Sequence, residues 1–73
     1  MKTIGNKIRK VRELRNYSRS YVAKELGIGI NSYGKIERNE VSITLLRLEE
    51  LAEILQVSVV CLISFDEDKL LQA

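Results

Sequence analysis

The chain has 73 residues, 45% apolar and 30% charged, with four glycines, one cysteine and neither proline nor histidine. This is enough for one small domain near the lower limit for folding on a core alone. It excludes an internal disulfide and a Cys/His catalytic pair, and leaves little for a transition-metal site. Net charge is only +2, yet residues 1–38 hold ten Lys/Arg against three Glu, net +7, while residues 39–73 hold two against seven Asp/Glu, net −5. Such asymmetry suggests one side facing a polyanion and one turned away from it, the plainer alternative being solvated helix surfaces.

Thr3 can cap a first helix predicted over Ile4 to Arg15, where Ile4, Ile8, Val11 and Leu14 recur at helical spacing. Asn16-Tyr17 makes a short connection, with Tyr17 expected to pack beneath that helix and Tyr21 half exposed. Ser18 suits an N-cap, its hydroxyl accepting from an otherwise unpaired N–H, for a second helix over Arg19 to Leu26. In Gly27-Ile28-Gly29, glycine reaches positive φ at little cost, so Gly27 suits a sharp corner. A third helix is predicted from Ile30 to Arg38, ended by Asn39 in the left-handed conformation. Val22, Ala23, Leu26, Ile28, Tyr33 and Ile36 then fall on the facing sides of the second and third helices.

Residues 18–39 have the layout of a helix-turn-helix, whose second helix enters the DNA major groove. With Tyr33 and Ile36 inward, Gly29, Ile30, Asn31, Ser32 and Lys35 point outward, with Arg38 near the end. Gly34 is costly inside a helix, about 1 kcal/mol relative to alanine. It suits close approach of a DNA backbone or of the second helix, and the sequence does not decide between them.

Thr44 is a good N-cap for a fourth helix over Leu45 to Leu55, with Ile43 and Leu48 at hydrophobic-staple spacing. Leu45, Leu48, Leu51, Ala52 and Leu55 supply its apolar stripe, and Glu49, Glu50 and Glu53 its wet face. It stops near Gln56, and Ser58 caps a last helix from Val59 to about Ile63. The run VSVVCLISF is too apolar for one short exposed helix on a small core. A dimer interface through Val59, Val60, Leu62, Ile63 and Phe65, with Leu46, is the favoured account; a satellite of the monomer core is the alternative. Cys61 reads as a small apolar residue there. The tail, residues 66–73, is acidic and then carries Leu70-Leu71; it is either disordered or an extension of the interface.

Ala23, Leu26, Gly27, Ile28, Ile36, Glu37 and Arg38, at this spacing, resemble the Cro/repressor-type helix-turn-helix family of bacterial and phage regulators, also called the xenobiotic-response-element (XRE) family. IGNKIRKVRELRNYS resembles that family's lead-in and first helix. ITLLRLEELAEILQVSV resembles its fourth helix and the start of its fifth, so Ile4 to Ile63 is covered. The resemblance implies an all-α, compact five-helix, lambda-repressor-like DNA-binding domain, here residues 1–65, often dimerising through the fifth helix.

The same resemblance implies an ion pair between Arg12 and Glu37 that ties the first helix to the third. If buried, loss of one partner would cost about 3–5 kcal/mol; the alternative is two solvated charges. It further implies that the positions of Ile30, Asn31, Ser32 and Lys35 reach bases or nearby phosphates. Asn31 can pair bidentately with adenine N6/N7 and Lys35 can donate to guanine O6/N7. Ile30 departs from the polar residue often found there, leaving a thymine methyl contact or no DNA role. Arg19 stands where glutamine is common. Ser18, Arg19, Arg38 and Asn39, beside Lys35, are expected phosphate contacts that position without specifying sequence, and neighbouring Glu40 works against them.

The expectation is therefore a sequence-specific DNA-binding transcriptional regulator, a repressor binding a palindromic operator as a homodimer through residues 30–38. The alternative is an antitoxin that covers a protein partner and represses its own promoter. A phage or mobile-element repressor, and an interaction module that has lost DNA binding, also stay open. No catalytic residues, cofactor or metal are expected, so the chain should not be an enzyme. MKTIGNKIRK lacks the apolar core of a signal peptide and no stretch approaches the roughly 20 apolar residues of a membrane span, which points to the cytoplasm.

Overall fold

Residues 4–64 are described in a computed structural model of the chain. They form five helices and no strand: α1 (Ile4–Leu14), α2 (Arg19–Leu26), α3 (Ile30–Glu37), α4 (Leu45–Leu55) and α5 (Val59–Ser64). The all-α architecture is the expected one. Thr3, Phe65 and the tail at residues 66–73 lie outside the described residues, and with them the expectations placed there.

Local chemistry explains the starts of three helices. Ser18 Oγ accepts from the Tyr21 N–H, Thr44 Oγ1 from the Arg47 N–H and Ser58 Oγ from the Cys61 N–H, each satisfying an orphan donor of a first turn. The N-cap of α3 is Gly29, which offers no side-chain acceptor.

The first four helices end alike, on a left-handed residue: Asn16, Gly27, Asn39 and Gln56, with φ of 62°, 77°, 60° and 61°. At each stop, one N–H returns three residues and the next returns five. Gly27 donates to the Lys24 carbonyl and Ile28 to that of Ala23; Asn39 donates to Ile36 and Glu40 to Lys35. Asn16–Tyr17 and Gln56–Val57 repeat the pattern. Orphan carbonyls are thereby satisfied while the chain turns sharply. Helix α3 ends one residue before the predicted Arg38, and α1 one before Arg15.

The core is built from Ile4, Ile8 and Val11 of α1, Val22 and Ala23 of α2, and Tyr33 and Ile36 of α3. Leu48, Leu51, Ala52 and Leu55 of α4 and Leu62 of α5 complete it. Leu26, Ile28, Ile43, Val57, Val59 and Ile63 pack half-buried around it. Tyr17 is half-buried, its ring centroid 4.7 Å from that of half-exposed Tyr21.

Two predicted stripe residues are not in the core. Leu14 is 63% exposed and Leu45 is 65% exposed. At about 100° per residue, Ile4, Ile8, Val11 and position 15 align, whereas Leu14 lies about 80° away. Arg15 occupies the aligned position and uses it differently, donating from Nε to the Leu55 carbonyl and from Nη2 to the Gln56 carbonyl, both at 2.8 Å. It thus pins α1 to the C-terminal end of α4. Leu45 lies only about 20° from Ala52 and about 60° from Leu48 around the axis, so its angle does not explain its exposure at the first residue of α4.

The fifth helix also differs from expectation. Leu62, assigned to a dimer interface, is fully buried, because α5 packs against both α1 and α4 and Leu62 points between them. It belongs to the monomer core. Val59 and Ile63 are half-buried, leaving Val60, 73% exposed, and Cys61 on the outer side. Lys7 Nζ donates to the Ile63 carbonyl and ties α1 to the end of α5.

Candidate nucleic-acid interface

Glu37, in the last turn of α3, points inward and is the most heavily bonded side chain of the region. Its carboxylate accepts from Arg12 Nε at 2.6 Å and Arg12 Nη2 at 3.4 Å. It accepts from the Tyr33 hydroxyl at 2.5 Å and from Arg19 Nε at 3.2 Å. Arg12 also donates from Nη1 to the Tyr17 carbonyl at 2.8 Å. Arg12 and Glu37 are both buried, so this is an enclosed pair rather than two solvated charges.

Burial by itself raises the Glu37 carboxyl. The hydrogen bonds from Arg12, Tyr33 and Arg19 and the charge of Arg12 outweigh it, holding the group below the ordinary carboxylate range. Burial, and then the adjacent carboxylate, push the Tyr33 phenol upward, so it stays a neutral donor. Burial lowers Arg12, but its bond to Glu37 and that carboxylate's charge leave it raised overall.

A second link joins α1 to α3 farther along. Gly5 donates its N–H to Asn39 Oδ1 at 2.8 Å. A Cβ at Gly5 would collide with the Ile36 carbonyl and sit 2.6 Å from that of Glu37 and 2.8 Å from Asn39 Oδ1. Only glycine lets the first turn of α1 rest on the C-terminal backbone of α3. The sequence reading missed Gly5, because nothing in its neighbours signals the approach.

With its inward side held this way, α3 turns Ile30, Asn31, Ser32 and Lys35 outward, all exposed, and Ile30 by 51%. Ser18 and Arg19 are exposed at the start of α2. The other two expected phosphate contacts, like Ser18 and Arg19, have protein partners. Asn39 gives its side-chain oxygen to Gly5, and Arg38 Nε lies 2.6 Å from Glu40 Oε2 in an exposed pair that lowers the Glu40 carboxyl and raises Arg38.

At Gly34 no atom of the second helix is among the nearest neighbours. The three nearest atoms to a Cβ there all belong to the Arg38 guanidinium, which folds back over it. Beside Ser32 and Lys35 runs an open groove of about 500 Å³, floored by Ile28 and Ile36 and edged by Val41, Ser42, Thr44 and Arg47.

The profile of the helix-turn-helix family matches residues 8–60, well over half the chain. The chain belongs to the Cro/repressor-type (XRE) helix-turn-helix family. Members of this helix-turn-helix family are DNA-binding regulators rather than enzymes, and this chain is a DNA-binding transcriptional regulator. Comparison with curated proteins and with solved structures gave no match. Among the described residues no helix is long and apolar enough to cross a membrane.

Proposed function

We propose that this regulator is a repressor that binds a palindromic operator as a homodimer, with α3 in the major groove. Ile30, Asn31, Ser32 and Lys35 face base edges, and Ser18, Arg19, Arg38 and Asn39 face phosphates on either side. The observation that carries this reading is the outward row on α3 above the buried Glu37 cluster. Base readout needs a helix whose orientation is fixed before contact, since each good bidentate contact discriminates by about 1–3 kcal/mol only when its geometry is met. Three donors from α1, α2 and α3 on one carboxylate supply that fixity. The basic first half of the chain supports the polyanion side. The Arg38–Glu40 pair is exposed, so a phosphate can exchange with Glu40 there.

For dimerisation, Val60 and Leu46 are two of the apolar side chains left uncovered on the chain's C-terminal helices, with Leu45 beside them and half-buried Val59 and Ile63 at the edge. A two-fold dimer would present its reading helices about 34 Å apart, one duplex turn. Cytoplasmic DNA and the exposed thiol of Cys61 are compatible with a reducing compartment. The antitoxin reading keeps one supporting observation: exposed Leu45 and Leu46 open a helix whose outer side also carries Glu49, Glu50 and Glu53, a surface another protein can cover.

The test is a salt titration of binding to random-sequence duplex DNA, comparing the parent with Arg19→Ala/Lys35→Ala. The parent should bind with log K falling steeply against log salt, and the double variant with a slope shallower by roughly 2. Absence of binding even at low salt overturns the reading and turns attention to the exposed apolar side chains of α4 and α5.

A further inference from the structure

We propose that Glu37, besides joining helices, is a positioning residue for DNA binding: it grips Arg19 by Nε and so aims the rest of that guanidinium at a phosphate. This rests on the DNA reading above and deepens it. The two ends of the contact differ sharply in environment, the Arg19 side chain being 57% exposed and that of Glu37 only 3% exposed. Arg12 and Tyr33 already hold Glu37 still. Arg19 therefore leans on a fixed anchor rather than on a mobile surface carboxylate.

The chemistry of the guanidinium makes this grip productive. It is a rigid planar fork with five donors, so an Nε–H spent on Glu37 leaves N–H groups on the other edges, in a known plane, for a second anion. A flexible side chain would lose its rotamer freedom on meeting DNA; one already anchored has lost it beforehand. Charge permits the same conclusion. One carboxylate lies between two guanidiniums, Arg12 and Arg19, so the cluster keeps a net positive charge. Arg12 is buried, so that surplus reaches solvent through Arg19. An ammonium at position 19 would be a point charge, able to sit on Glu37 or on the phosphate but not to bridge them.

The experiment measures binding of the purified chain to random-sequence duplex DNA across a range of salt, for the parent, Arg19→Gln and Arg19→Lys. Position 19 is largely exposed, so all three should fold, and far-UV circular dichroism checks that they do. Arg19→Gln should lower the slope of log K against log salt by about 0.9, one phosphate contact. Arg19→Lys, though it keeps the charge, should bind roughly tenfold more weakly than the parent and show nearly the same reduced slope as Arg19→Gln. A lysine variant equal to the parent in affinity and slope overturns the positioning by Glu37 while leaving the DNA reading intact. An unchanged slope in Arg19→Gln removes Arg19 from the phosphate contacts and overturns the inference as well. Failure of the parent to bind overturns the DNA reading itself, a separate outcome from the other two.

Discussion

Two glycine-to-alanine substitutions in this chain should move stability in opposite directions. In Gly5→Ala the new methyl group meets backbone: the Ile36 carbonyl, the Glu37 carbonyl at 2.6 Å and Asn39 Oδ1 at 2.8 Å. Ordinary carbon–oxygen contact needs several tenths of an ångström more, and main-chain carbonyls of a packed helix cannot retreat cheaply. Overpacking of this kind costs about 1–3 kcal/mol. The backing-off also stretches the Gly5–Asn39 hydrogen bond, worth about 0.5–1.5 kcal/mol. Alanine returns at most about 1 kcal/mol of helix propensity, less in a first turn. The net expectation is a loss of about 2 kcal/mol, or roughly 8–16 °C in Tm for a domain of this size.

In Gly34→Ala the methyl group meets only the tip of the exposed Arg38 side chain, which can swing away. The propensity gain of up to about 1 kcal/mol is then uncompensated, and the variant should melt higher. Thermal and urea unfolding followed by circular dichroism at 222 nm reads both. A Gly5→Ala variant at least as stable as the parent would refute the close approach of α1 to the α3 backbone.

Gln56 holds a left-handed φ of 61° without being glycine, a conformation costing L-residues about 1–2 kcal/mol. After allowance for glycine's greater unfolded freedom, Gln56→Gly should raise stability by about 0.5–1 kcal/mol in urea unfolding. The Arg15 bond survives because it goes to the main-chain carbonyl. The pH dependence follows from Glu37, whose folded value lies below its ordinary 4.5. A depressed carboxyl stabilises the fold fully above the unfolded value and loses that contribution as pH falls through the folded one. With no histidine in the chain, Tm should stay nearly flat from about pH 6 to 8 and drop below about pH 4.5; a Tm unchanged down to about pH 3 would contradict the depression. Val60 is 73% exposed, so Val60→Glu should leave the melting of the monomer unchanged while sedimentation equilibrium shows dissociation of the proposed dimer; an unaltered dimer places the interface elsewhere.

The parts of this fold that could be read from the chain are those whose causes are local. Ser18, Thr44 and Ser58 cap helices through a bond reaching only three residues, and the apolar spacing of Val22, Ala23, Tyr33 and Ile36 forces two helices together wherever the rest lies. Gly27 and Asn39 announce left-handed stops because their residue types tolerate them, whereas Gln56 adopts one against its type. What escaped reading depends on distant partners. Leu14 is the next apolar residue after Val11, but geometry assigns the stripe position to Arg15, whose use is intelligible only once the end of α4 is beside it. Leu62 is core because α1 and α4 leave it a slot. On the candidate interface, the outward row of α3 was legible from helix periodicity. The sharing of Glu37 by Arg19 was not, since eighteen residues separate them.

These partners give α1 a larger part in DNA reading than its place outside the motif suggests. Within the helix-turn-helix, α3 meets α2 through apolar side chains, which resist separation but allow rotation about the helix axis, and through the Arg19–Glu37 bond. Directional bonds restrain rotation, and those described here cluster on the C-terminal half of α3. Arg12 reaches Glu37, Arg19 reaches the same carboxylate, and Gly5 rests on the Ile36–Asn39 backbone. Two of these three ties come from α1. The N-terminal turn, Ile30 to Ser32, has no side-chain cap and, among the described residues, no such tie, so its outward side chains stay accessible while their angle is set from the other end. A buried ion pair is weak support for stability in itself, since well-packed apolar residues often do as well. Its value here is orientational: two hydrogen bonds from one guanidinium define a plane, and that plane fixes how α3 is turned toward the groove.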